Sequence, residues 1–276
     1  MKISIQGEQG SFHEVAARQY FSAEKIEIVP CTSFNRTLMT VIEGKADFAV
    51  MAIENARSGS ILHNYTLIRE SGMKILGEHN LRIVQNLMAL PGQSLIDIRE
   101  IRSHPIALAQ CMTYLNRLQG LTLIESEDTA ASARQISENK LEGVAAIGSS
   151  IAADIYGLSI LAKGIETYKK NYTRFLVIGN GKDCNLSGNK VSICFSTGHQ
   201  PGALATVLVR LAELDVNLSK IQSVPKLNKD WEYMFYADLE LNPDHDMDLI
   251  KNMLDNYTIN LEVLGVYNKG DKLYES

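Results

Sequence analysis

Thr173 and Arg174 stand where an apolar run begins, in the stretch KNYTRFLVIGNG from Lys170 to Gly181. Phe175, Leu176, Val177 and Ile178 read as a buried strand, ended by Gly179 and Gly181. A hydroxyl and a guanidinium at the mouth of such a strand fit two readings. One is a strand end surfacing into water; the other is a site for an anion that loses a leaving group. Further hydroxyls recur where strands give way to helices. Ser11 follows the first strand, with Glu14 at capping-box spacing. Ser58 and Ser60 follow Glu54 and Asn55, Ser103 precedes His104 and Pro105, Thr129 follows IESED, and Ser149 and Ser150 follow VAAIG. Each alone reads as a helix cap. Together they say more, because parallel α/β sheets gather helix N-termini at the carboxyl edge of their strands, where ligands bind. Unpaired N–H groups and the helix dipole favour carboxylates or phosphates there. With Arg174 this suggests a positively biased pocket for a small dianion. It does not yet give a reaction, and a crevice between two lobes is equally the geometry of a solute-binding protein.

Other candidate chemistry is thinner. His13, His63, His79, His104, His199 and His245 are scattered without metal-site spacing, and DHD (244–246) reads as an exposed helix entry. Glu54, Glu125 and Glu127 are candidates for an acid/base pair, but nothing in their spacing brings them together. Dinucleotide and Walker fingerprints are missing. None of Cys31, Cys111, Cys184 and Cys194 forms a CxxC pair, and each sits in or beside an apolar segment. Reduced core thiols, rather than zinc ligands, are expected.

These residues must be positioned by alternating strands and helices. Strands are expected at 2–6, 26–30 and 46–53, with helices at about 12–21, 34–45 and 60–71. Residues 74–90 read as one or two strands crossing to a second region. There a helix at 104–118, a strand at 121–126, a helix at 129–139, a strand at 144–148 and a helix at 150–157 follow, the last closed by Gly157. This is α/β order with parallel strands. GNGKDCNLSGNK (179–190) is rich in Gly and Asn and reads as a linker. Beyond it strand 191–197, helix 201–214, strands 217–224 and 231–241, helix 247–257 and strand 259–267 give βαββαβ, the ferredoxin-like order.

The chain has 276 residues, enough for two domains, and is 45% hydrophobic and 21% charged, an ordinary globular balance. A formal charge of −5 argues against a non-specific nucleic-acid binder. The start, MKISIQGEQG, carries no apolar signal core, and no run approaches the ~20 apolar residues that span a bilayer. No membrane partner and a cytoplasmic location are expected.

Taken together, IQGEQGSFHEVAA, DFAVMAIENARSGSI, SHPIALAQC, AAIGSSIAADIYGL and NYTRFLVIG occur in the order found in prephenate dehydratases. The tail GALATVLVRLAELDVNLSKIQSVP…WEYMFYADLE resembles the ACT regulatory domain those enzymes carry. The resemblance covers nearly the whole chain. It implies a two-lobed catalytic domain over 1–180, like type II periplasmic binding proteins, with its second lobe at about 80–158. A dimerising ferredoxin-like ACT domain over 190–276 follows. It implies conversion of prephenate to phenylpyruvate, water and carbon dioxide in phenylalanine synthesis, with no metal or organic cofactor, by a homodimer or dimer of dimers. Arogenate is the rival substrate, and a non-catalytic sensor of amino or organic acids is the rival from another class.

The resemblance assigns the departing hydroxyl to Thr173. Arg174 would hold a carboxylate in a bidentate fork, unless strand alternation turns it away, and Phe175 would shape the pocket against the ring. Substrate-binding positions carried over are Ser11, Glu54, Asn55, Ser103, Gln110, Glu127, Thr129 and Ser150. His13 stands where the family usually has Ser, Ala52 and Ala56 replace residues that commonly flank Glu-Asn, and Ile106 replaces a common Gln. For the regulatory domain the resemblance implies phenylalanine bound near Gly202, Ala203 and Leu204, against Asn217, Leu218, Gln222 and Ser223. Gln222 and Val224 replace the Glu and Arg of the family's ESRP segment.

Overall fold

The computed structural model describes residues 1–181, 188–226, 232–243, 245 and 247–270. Cys184, most of the expected linker, Trp231 and the aspartates of Asp244-His245-Asp246 lie outside the described residues. The described residues divide into two compact units, one of 1–61 and 79–175, the other of 62–78 and 176–270. The catalytic domain that the resemblance implies, 1–180, includes residues of both units.

The chain opens with β1 (Lys2–Gln6), α1 (Phe12–Tyr20), β2 (Glu27–Cys31), α2 (Phe34–Ile42), β3 (Phe48–Asn55) and the two-residue β4 (Gly59–Ser60). Ile3 and Ile5 of β1 are fully buried, and β1 pairs in parallel with both β2 and β3. Helix α2 begins at Ser33, whose hydroxyl accepts from Arg36 N, and turns Leu38 and Val41 inward. Next come α3 (Leu62–Ser71) and β5 (Lys74–Arg82).

The next stretch holds β6 (Asn86–Ala89), β7 (Glu100–Ser103), α4 (Pro105–Leu115), β8 (Thr122–Glu125), α5 (Thr129–Asn139), β9 (Val144–Gly148), α6 (Ser150–Tyr156) and β10 (Ser159–Ala162). Its five-stranded sheet runs β10-β6-β9-β7-β8. Ala130, Ala133 and Ile136 recur along one face of α5 and are fully buried in a cluster with Ala146 of β9 and Ala152 of α6. β7 pairs in parallel with β8 and β9, whereas β6 runs antiparallel to β9 and β10. The all-parallel expectation thus fails at β6 and β10. The sequence had also missed β7, where Glu100 and Arg102 alternate with Ile101 and Ser103, and the short β10.

The chain then forms β11 (Tyr172–Gly179), and the first sheet has the order β2-β1-β3-β11-β5, with β4 on β3. The second unit continues with β12 (Lys190–Ser196), α7 (Ala203–Glu213), β13 (Asn217–Pro225), β14 (Tyr233–Glu240), α8 (Met247–Asp255) and β15 (Ile259–Tyr267). This is the βαββαβ order read from the sequence. Its sheet runs β13-β14-β12-β15 with antiparallel pairs, and Val191, Phe195, Val207, Leu211 and Leu239 fill its core. Helix α3 belongs to this unit: Arg69 pairs with Glu262 at 2.7 Å, and the rings of Tyr65 and Tyr236 lie 5.3 Å apart. Glu78 and Lys190, both buried, pair at 2.9 Å.

Candidate active site

A cavity of about 460 Å³ opens in the first unit, within the usual size range of small-ligand sites. Ser11, Asn55, Gln110, Glu127, Thr129, Thr173 and Phe175 line it. They come from the start of α1, the end of β3, the middle of α4, the entry to α5 and the start of β11.

Asn55 organises the wall. Its Oδ1 accepts from the backbone N–H of Arg57 and of Ser58, both at 2.9 Å, which closes a tight turn. That fixes which end of the amide is NH2. Nδ2 then donates to Thr173 Oγ1 at 2.9 Å, to Asn171 Oδ1 at 2.9 Å and to Tyr172 O at 3.1 Å. A hydroxyl carries one proton and two acceptor lone pairs. With Asn55 donating to its oxygen, Thr173 keeps its own proton for a group in the cavity. The relay continues: Asn171 Nδ2 donates to Gln110 Oε1 at 2.9 Å, and Gln85 Nε2 donates to the same oxygen at 3.2 Å.

Ser11 is the N-cap of α1 but its side chain makes no capping bond; its Oγ is buried, at 2% exposure, with no hydrogen-bond partner. The expected capping box does not form: Glu14 accepts from Gly10 N at 2.6 Å, one residue before the cap, and Ser11 N donates to Glu8 O. The first turn of α1 therefore meets the cavity without a side-chain cap. At α4 and α5 the caps are His104 and Asp128, each one residue from the expected position, and both accept from backbone N–H groups.

His13 also lines the cavity. Its Nε2 accepts from Ala52 N at 3.3 Å, and its ring meets Phe175 edge-on at 5.1 Å. Burial holds this imidazole down at about 4, so it is neutral and Nδ1 carries the proton. The unfolded chain takes up that proton near pH 6.5, whereas the folded chain does not until about 4. Stability is therefore lost as pH falls through this window, by up to about 3 kcal/mol. Urea unfolding at pH 7 and pH 5 should show this loss, and His13→Asn should flatten it; an equal loss in the variant would remove His13 as the cause. Asp128 is raised from the usual carboxylate value by burial, against the two N–H bonds that lower it.

Residues 3–183 match the family model for prephenate dehydratase. The chain belongs to the prephenate dehydratase family. It is 36% identical to Arogenate dehydratase/prephenate dehydratase 2, chloroplastic, of Arabidopsis thaliana, over 97% of this chain and 72% of that one. Among solved structures, GqqA, described as a novel type of quorum quenching acylase, superposes with a TM-score of 0.88 at 30% identity, covering 97% of both chains. Prephenate dehydratase from Arthrobacter aurescens, solved in complex with L-Phe, gives 0.86 at 28% identity over 97% of this chain and 90% of that one.

Some positions carried over from prephenate dehydratases do not reach the cavity. Adjacent strand residues face opposite sides, so Thr173 and Phe175 line it while buried Arg174 pairs with Glu54 at 3.3 Å. Neither Arg174 nor Glu54 is on the wall, and among the described residues lining the cavity there is no Lys or Arg. The expected positive bias is thus not supplied by side chains. Ser103 is fully buried and donates to Ile147 O at 2.7 Å, a bond that ties β7 to β9. Ser150 is exposed; the cap of α6 is Ser149, which accepts from Ala152 N and donates to Gly10 O. Gln85 and His13, both on the wall, were not named as site residues from the sequence. His13 was visible only as a departure from the family. Gln85 looked like one polar residue in a strand-like run. Among the described residues no group of three or more His, Cys, Asp or Glu is placed to hold a metal ion.

In the second unit a cavity of about 480 Å³ is lined by Gly202, Ala203 and Leu204, with Tyr233 and Phe235 across from them in sequence on β14. Gly202 caps α7 at φ 84°, a conformation that favours glycine. Asn217, Leu218, Gln222 and Ser223 are not on that wall. They lie along β13, an edge strand; Asn217 donates to Glu240 at 3.3 Å, Leu218 packs on the sheet's core, and Gln222 donates to Ser223 O.

Proposed function

We propose that this chain converts prephenate to phenylpyruvate. The reading rests on membership of the prephenate dehydratase family and on one observation: Thr173 presents a hydroxyl to the cavity with its oxygen already engaged by Asn55. The ring carboxylate leaves as carbon dioxide, and its bonding electrons complete the aromatic ring. The ring hydroxyl leaves as water after taking up one proton. Thr173 O–H donates to that departing oxygen, while Ser11 Oγ and the uncapped first turn of α1 receive a carboxylate. A hydrolase would need a base beside a wall hydroxyl. Ser11 Oγ has no partner and Thr173 Oγ1 is bonded to Asn55, so neither of these two hydroxyls is paired with a base.

The second unit is read as an ACT domain that dimerises and binds L-phenylalanine. Its βαββαβ order, the Gly202-Ala203-Leu204 cavity and the L-Phe complex of the Arthrobacter relative support this. Purified protein incubated with prephenate should release phenylpyruvate, read by its absorbance, and L-phenylalanine should lower the rate. No product from prephenate or arogenate would favour a sensor. Turnover indifferent to phenylalanine would leave the second unit a dimerisation module, and a monomer in sedimentation would remove that role too.

A further inference from the structure

We infer that Arg57 holds the side-chain carboxylate of prephenate, the one that stays in the product. This rests on the dehydratase reading and assigns one of the substrate's two charges.

Prephenate carries two carboxylates, yet no described Lys or Arg lines the 460 Å³ cavity, and Glu127 and Asp128 add negative charge to its wall. The first turn of α1 serves one carboxylate. The other needs a cation from beyond that wall. An adjoining cavity of about 320 Å³ shares Ser58, Ile106 and Gln110 with the first, and Arg57 lines it. Elsewhere in this unit Arg18 pairs with Glu14, Arg134 with Glu8 and Arg174 with Glu54. Arg57 has no carboxylate partner among the described residues; its guanidinium lies over the Tyr168 ring at 4.0 Å.

Two restraints place this charge. Arg57 N donates to Asn55 Oδ1 at 2.9 Å, which ties its backbone to the amide that addresses Thr173. Stacking on Tyr168 uses the face of the guanidinium and leaves its in-plane N–H groups for a carboxylate fork. Glu166, the acid on the same wall, is already matched. Lys169 lies at 3.6 Å and Arg82 at 4.0 Å, and Gln85 N donates to it at 2.9 Å.

The reaction decides which carboxylate this is. The ring carboxylate loses its charge as carbon dioxide departs. A cation there would favour the ground state over the transition state and slow the reaction. The side-chain carboxylate keeps its charge throughout, and it sits at the end of a flexible arm that enters the adjoining cavity. Pairing it stabilises substrate and transition state alike, so its loss is read in KM and not in kcat.

The test measures kcat and KM for prephenate, and the inhibition constant of phenylpyruvate, in wild type, Arg57→Met and Arg57→Lys. Arg57 is exposed, so methionine removes the charge without opening a core. It should raise KM about 10- to 100-fold, the scale of a lost hydrogen bond to a charged group, with kcat within about three-fold. Phenylpyruvate retains the same carboxylate, so its inhibition constant should rise by a similar factor. Lysine should recover part of both. Unchanged constants in Arg57→Met would overturn the inference, and so would a fall in kcat alone. A raised KM with unaltered phenylpyruvate binding would put Arg57 on the departing carboxylate, and would overturn it too. Each of these leaves the dehydratase reading standing. Only wild type that fails to turn over prephenate removes that reading, and the inference with it.

Discussion

Thr173→Val should lower kcat by about 10²- to 10⁴-fold, the range that a positioned acid or donor contributes, with KM changed by less than about five-fold. Valine keeps the branched shape that fills this 8%-exposed site on β11. It deletes only the O–H that faces the cavity and the oxygen that Asn55 addresses. A variant of native stability that kept more than a tenth of the wild-type kcat would remove Thr173 from the chemistry. Thr173→Ser should retain much of the rate, because the donor survives.

The second large effect is expected at Asn55, and two substitutions divide its roles. Asn55→Leu removes a donor with three acceptors and an acceptor for two backbone N–H groups. At roughly 1 kcal/mol per net hydrogen bond, it should cost about 2–4 kcal/mol of stability along with nearly all turnover. Asn55→Asp keeps the oxygen that closes the turn but puts a second acceptor against Thr173. The threonine proton then turns toward the carboxylate and away from the substrate. Turnover should fall about 10²-fold or more with a much smaller loss of melting temperature than in the leucine variant. Equal turnover in Asn55→Asp and wild type would show that the direction of the Thr173 proton does not matter.

Much of the framework is legible along the chain because it is local. The helix at 129–139 is marked by Ala130, Ala133 and Ile136 recurring on one face. The βαββαβ tail is similarly punctuated. Cap identity was less legible: Ser103 and Thr129 lose the capping role to His104 and Asp128, and of the two candidates Ser149 and Ser150 only Ser149 caps α6. Which of two adjacent oxygens or nitrogens reaches the first turn depends on backbone angles that composition does not fix. Strand β7 escaped notice because Glu100 and Arg102 neutralise each other across an alternation only four residues long.

At the site, Thr173 was legible from its place at the mouth of a strand, and alternation along that strand already allowed for Arg174 turning away. That Arg174 meets Glu54 is a contact across 120 residues, which no local pattern reveals. Gln85 is the clearest case of information absent from the linear chain. Its meaning is set by a relay through Gln110, Asn171 and Asn55 that exists only once four separate segments meet.

The loop before α1 bears on how this scaffold can be re-engineered. Gly10 holds φ 87°, and a Cβ there would sit 2.8 Å from Ala152 Cα, while Ser149 Oγ grips Gly10 O at 2.5 Å. Backbone meets backbone, so no smaller partner at position 152 makes room. A mutational library seeking new substrates should therefore leave 7–11, 149–152 and Gly59, which holds φ 82°, untouched and spend its diversity at Ser58, Ser60 and Ile106, whose side chains border the cavity.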